Sequence, residues 1–188
     1  MINQEIKINK KSGFTLIETL VAVFIMTVSI TSLMTVVTSS LFAARYTRDK
    51  VTATYLAQEA IDYIRNDRDT TVFLQQNLNN QEAWDLFTQK YSKCTDDPQN
   101  GCYLDVSNED KITVLPTCNL AEDNCNFYFN KDGTNSFYNY NNEGVKTSFK
   151  RKIVVNTTNE QMEAQVIISW LNGGTTRTVS LKTSLMNW

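Results

Sequence analysis

The chain has 188 residues, with 18 Lys and Arg against 20 Asp and Glu and no histidine. A net charge of −2 offers no basic excess for nucleic acid. The missing imidazole excludes His-based triads, His-ligated metal sites and imidazole acid/base chemistry, and no Gly-rich phosphate loop is present.

The first element is a short leader, residues 1–13, which carries Lys7, Lys10 and Lys11 and ends in Gly13. Phe14, Thr15, Leu16 and Ile17 follow, and then Glu18, a lone carboxylate in an otherwise apolar segment. A carboxylate near the head of a membrane-length helix is costly, so it calls for a function. The run from Thr19 to Ala44 is uncharged, and residues 14–97 contain neither Gly nor Pro. That absence of breakers predicts one long helix, with a transmembrane part over 14–44. Thr27, Ser29, Thr31, Ser32, Thr35, Thr38, Ser39 and Ser40 interrupt the apolar run. Their hydroxyls can bond back to backbone carbonyls, so a helix tolerates them in lipid or at a packed interface.

From 45 to 69 the pattern becomes amphipathic. Ala53, Leu56, Ala57, Ala60, Ile61 and Ile64 share one helical face, while Arg48, Gln58, Glu59, Asp62 and Arg65 take the others. The polar run at 66–70 is expected to end the helix. A helix from 14 to 66 would be about 80 Å long at 1.5 Å per residue, more than a bilayer needs, so half of it must project.

Residues 70–188 predict a globular head. Its first part, 71–93, reads as partly helical, with Trp84 and Phe87 as core side chains. Cys94, Cys102, Cys118 and Cys125 sit in polar, loop-like sequence without the close spacing of a zinc site. Two disulfides are expected, which implies an oxidising compartment. Three pairings are open, and short local loops favour Cys94–Cys102 with Cys118–Cys125.

Residues 94–148 are loop-rich, with a short strand at Phe127-Tyr128-Phe129 and turn chemistry at Asn130, Lys131, Asp132 and Gly133. Strands are expected at 149–155, 163–171 and 176–184, the last two joined by a turn at Asn172-Gly173-Gly174. Val166, Ile168 and Trp170 alternate with Gln165, Ile167 and Ser169, the two-residue period of a sheet. The cluster Lys150-Arg151-Lys152 reads as a solvated edge rather than a DNA site. A striped helix followed by an antiparallel sheet gives an α+β fold.

The Gly13-Phe14-Thr15-Leu16-Ile17-Glu18 stretch resembles the type IV prepilin signature. The segment 56–66 also looks like the second helical half of bacterial prepilins. The closing Trp170-Leu171-Asn172-Gly173-Gly174 and Leu185-Met186-Asn187-Trp188 segments resemble minor pilins of the pilus-modification kind. The resemblance implies a pilin-like fold and a filament subunit rather than an enzyme. It implies cleavage between Gly13 and Phe14 by a prepilin peptidase, N-methylation of Phe14, and an assembly role for Glu18. It further implies partnership with other pilins or pseudopilins, with an inner-membrane assembly platform, and with membrane lipid before assembly. The head would lie outside the cytoplasm on a single-pass inner-membrane anchor and reach an extracellular pilus after assembly. Lys7, Lys10 and Lys11 on one side balance Arg45, Arg48 and Lys50 on the other, so the positive-inside rule is a tie that the cysteines break. Some secretion pseudopilins bind calcium, but the EF-hand spacing is not met around Asp132 and Asn135, so no metal or other cofactor is expected. Two alternatives share the anchor: a pseudopilin of a type II secretion system, and a membrane-anchored binding domain that never assembles.

Overall fold

The computed structural model describes residues 13–74, 79–94, 100–106, 114–119, 124–132 and 135–187. The chain divides into two compact units, Met1–Arg45 and Tyr46–Trp188. The architecture is α+β, and helix α1 (Leu16–Leu74) runs through both units.

In the first unit the helix is apolar and fully exposed. Its most apolar stretch has a mean hydropathy of 2.3 with none of it buried, so α1 is long and apolar enough to cross a membrane. The hydroxyls expected to turn inward do so. Ser29 donates to the carbonyl of Ile25 at 2.7 Å, Thr35 to Ser32 at 2.7 Å and Ser40 to Val36 at 2.8 Å. Thr27, Thr31, Ser32, Thr38 and Ser39 each bond back in the same way.

In the second unit the same helix buries one stripe. Ala53, Ala57, Ala60 and Ile64 are fully buried, and Leu56 and Ile61 nearly so. Small side chains every three or four residues let the helix lie close to the sheet. The polar run expected to stop the helix does not stop it, and α1 continues to Leu74. Tertiary partners override its weak propensity. The Asp67 carboxylate accepts from Lys90 Nζ at 2.9 Å and from the Tyr91 hydroxyl at 2.8 Å. The Thr71 hydroxyl donates to the Asp67 carbonyl at 2.7 Å, and Arg68 pairs with Asp69 at 2.7 Å.

Helix α2 (Asn80–Lys90) starts from a capping box. The Asn79 side chain accepts from the Glu82 amide at 2.9 Å, and the Glu82 carboxylate accepts from the Asn79 amide at 3.1 Å. Its Trp84 and Phe87 are core residues, as expected, and the Trp84 indole donates to the Thr158 carbonyl at 3.3 Å.

Among the described residues seven antiparallel strands form one sheet: β1 (Asn100–Cys102), β2 (Thr117–Asn119), β3 (Asn126–Asp132), β4 (Asn135–Asn139), β5 (Val145–Thr157), β6 (Gln161–Asn172) and β7 (Thr175–Met186). The last three are longer than the sequence predicts. Asn130, Lys131 and Asp132 extend β3 instead of forming a turn; Gly133 lies outside the described residues. Strand β5 is central. It pairs with β6 over Lys150 to Thr157, and on its other edge first with β3 and then with β1 at Ile153. Met162, Ala164, Val166, Ile168 and Trp170 of β6 face the helix and are buried, while the alternate residues face outward. Gly173 and Gly174 take φ of 59° and 80°, the left-handed pair that a tight two-residue hairpin requires.

Candidate functional site

Glu18 lies in the first turn of α1. Thr15 sets that turn: its side-chain oxygen accepts from the Glu18 amide at 3.4 Å, and its carbonyl accepts from the Glu18 and Thr19 amides at 3.1 and 3.2 Å. The carboxylate therefore sits where the unpaired amides give the helix end a partial positive charge. It has no side-chain hydrogen bond or ion pair among the described residues. Phe14, Leu16, Ile17 and Leu20 around it are 78, 81, 68 and 61 % exposed, so this turn is apolar, uncovered and marked by one acid.

Gly13 is informative for what it lacks. A Cβ placed there would meet nothing within 4 Å, and its φ is not in the left-handed region. Among the described residues nothing demands a glycine at this position.

The head domain is held by a different kind of chemistry. Arg151 was read from sequence as part of a solvated edge. It is 1 % exposed and lies on the central strand, and Lys152 is 6 % exposed. The error was to take β5 for an edge. Because β5 is paired on both sides where Arg151 and Lys152 lie, these two are enclosed, while Lys150 is half-buried and Lys146, at the start of the strand, is exposed. The Arg151 guanidinium donates to the Glu59 carboxylate at 2.9 Å, the Leu56 carbonyl at 3.0 Å, the Tyr140 hydroxyl at 3.1 Å and the Leu104 carbonyl. It lies 4.8 Å from the Phe127 ring centre and 5.6 Å from that of Tyr140. One side chain thus ties the helix, the loop after β1 and the β3–β4 hairpin together. Burial pushes the Tyr140 phenol up to about 12, against the pull of the Arg151 charge. A second tie docks α2. Burial alone would lower the Lys90 ammonium, but its bonds to Asp67 and Tyr63 outweigh that and raise it. Burial beside the Asp67 charge raises the Tyr91 phenol as well.

The cysteines form two local disulfides, Cys94–Cys102 and Cys118–Cys125, with Cα atoms 4.8 and 5.3 Å apart. The first pins the end of α2 to β1. The second links β2 to the start of β3. Among the described residues no group of three or more His, Cys, Asp or Glu is placed to hold a metal. The calcium question falls on Asp132 and Asn135, whose side chains are outside the described set.

The sequence singled out Gly13, Phe14 and Glu18, and the structure places all three together at the uncovered start of α1. It did not single out Glu59, which looked like an ordinary solvent-face acid. The only signal was that Glu59 flanks the apolar stripe.

Residues 8–34 match the family described as the prokaryotic N-terminal methylation motif. No curated protein and no solved structure matches the chain.

Proposed function

We propose that this chain is a type IV pilus subunit of the minor kind. A prepilin peptidase cuts between Gly13 and Phe14, and Phe14 is N-methylated. The mature helix anchors the protein in the inner membrane with the disulfide-bonded head outside the cytoplasm. The helix then moves from lipid into a bundle of other pilins at the assembly platform. The new amine at Phe14 pairs with Glu18 of a neighbouring subunit, which offsets part of the desolvation of both charges. The head carries no catalytic role in this reading and faces outward on the filament or its tip.

The observation that carries the reading is the combination at the start of α1. An exposed apolar helix begins within the methylation-motif match, behind a glycine that nothing among the described residues demands. Intact-mass and N-terminal mass spectrometry on membranes and sheared filaments tests it. The mature chain is expected to begin at methylated Phe14, and Gly13→Val is expected to leave the leader attached. A chain that still begins at Met1 in cells with an active peptidase would overturn the proposal. Recovery of the mature chain from the cell envelope but never from sheared filaments would move the assignment to a secretion pseudopilin.

A further inference from the structure

The cations just after the apolar run have no role in the reading above. With the head outside the cytoplasm, as proposed, they lie on the side that the positive-inside rule leaves poor in cations. The head domain shows where they gather. The Tyr46 ring lies 6.3 Å from the Trp170 ring and 5.7 Å from the Arg177 guanidinium. Asn172 donates to the Asp49 carboxylate at 3.4 Å. The end of the sheet bearing the β6–β7 hairpin is therefore the end at which the chain enters the domain. The start of β5 lies there too, since Lys146, Ser148, Leu171 and Thr176 line one cleft of about 480 Å³.

Arg48, with its side chain 79 % exposed, and Lys50, Lys146 and Arg177 face solvent at this end, beside the exposed Leu171. The described acids there are Asp49, held by Arg48 and Asn172, and Glu143, held by Asn141. The opposite end has the reverse charge. The turn between β5 and β6 meets the start of α2; there Arg65, Arg68 and Lys90 are paired with Asp62, Asp69 and Asp67, and Glu82, Asp85 and Glu160 are exposed with Lys93. The head is electrically polarised along its sheet, and its positive end is the one joined to the apolar run.

We propose that this positive end binds anionic phospholipid headgroups of the bilayer holding α1, with Arg48, Lys50, Lys146 and Arg177 on lipid phosphates and Leu171 at the interface. Cations beside a span are attracted by an anionic leaflet, and an apolar side chain among them adds burial at the headgroup boundary. The occupant follows from continuity: the chain leaving this end at Tyr46 is the uncharged membrane-length run. The inference rests on membrane insertion of that run, as in the proposed function.

The test uses the full chain in nanodiscs of phosphatidylcholine, alone or mixed with phosphatidylglycerol. A fluorescent label is placed on Thr175→Cys in the hairpin or on Asn159→Cys at the opposite end, with the native disulfides verified by thiol count. Lipids with a headgroup spin label act as the quencher. Quenching at 175 is expected to be at least about threefold stronger with phosphatidylglycerol, and Arg48→Gln/Lys50→Gln/Lys146→Gln is expected to abolish the difference. The label at 159 is expected to be indifferent to lipid. Equal quenching at 175 in both lipids, or equal quenching at 159 and 175, would overturn the inference. So would a triple variant that keeps its lipid response but loses filament incorporation, which would make the patch a subunit contact. A chain not retained in discs refutes the span and the membrane reading itself. A retained chain without the lipid effect refutes only this inference.

Discussion

The two halves of α1 have the same backbone and opposite needs. Residues 46–74 send Ala53, Ala57, Ala60 and Ile64 into a core their own chain supplies. The apolar side chains of residues 16–44 are exposed, with nothing among the described residues covering them. Hydrophobic burial stabilises only where a partner surface exists. In the proposed function lipid or other subunits cover the first half, whereas the head of the same chain covers the second. An acid in each half sharpens the contrast. Glu59 already has its cation, Arg151, whereas Glu18 has none among the described residues. A helix whose partner is built in belongs to folding. A helix whose partner is not among the described residues is, in the proposed function, the assembly half.

That contrast can be broken most severely at Glu18. Glu18→Ala is expected to lower incorporation into sheared filaments, normalised to membrane level, by more than about 100-fold. Stranding one charge of a buried pair costs about 3–5 kcal/mol. Head-domain stability should not change. Incorporation like that of the native chain would reduce Glu18 to a headgroup-level residue.

Arg151→Leu should do the reverse. Glu59 is 41 % exposed and can return to water, so the loss falls on the Leu56 and Leu104 carbonyls and the Tyr140 hydroxyl. Leaving buried groups without a donor costs about 1–3 kcal/mol each, so denaturant titration should show a loss of at least about 3 kcal/mol. A loss below about 1 kcal/mol would mean that the guanidinium is not the tie described.

Ala57→Leu tests the close approach of helix and sheet. Adding bulk to a filled core should cost about 1–3 kcal/mol by the same titration, whereas Ala22→Leu in the uncovered half should leave head stability unchanged. Equal effects at the two alanines would erase the distinction between the halves.

The smallest effect concerns pH. With its folded value raised to about 12, Tyr140 keeps its proton in the native head after the unfolded chain has released it near 10. The unfolded state then binds fewer protons, so stability is whole below about pH 10 and falls as pH rises toward 12. Tyr140→Phe should flatten that decline in a stability-versus-pH series. An unchanged slope would place the alkaline sensitivity elsewhere.

Periodicity made the helix stripe legible, because Ala53 to Ile64 recur at the spacing of one face. It also exposed the alternation of Val166, Ile168 and Trp170. It could not reveal Arg151. A period says which side of a strand is apolar, but it is silent on whether a cation on that side meets Glu59, 92 residues away. The helix end was misplaced for the same reason. Asp67 and its neighbours look like a terminator until Lys90 and Tyr91 fold back onto them. At the start of α1 nothing distant was needed. Gly13, Phe14 and Glu18 are contiguous in sequence, and their chemistry is local.

The inward-turned hydroxyls of the first half have one more effect. Thr27, Ser29, Thr31, Ser32, Thr35, Thr38, Ser39 and Ser40 hold on to their own helix and not to any neighbour. Such a rod leaves no broken polar bonds behind when it exchanges acyl chains for protein. It can also rotate or slide past an adjacent rod without first letting go of a partner. If the proposed assembly holds, such a rod is portable between solvents, and its register along a neighbour is left to the pairing of Glu18 with the Phe14 amine.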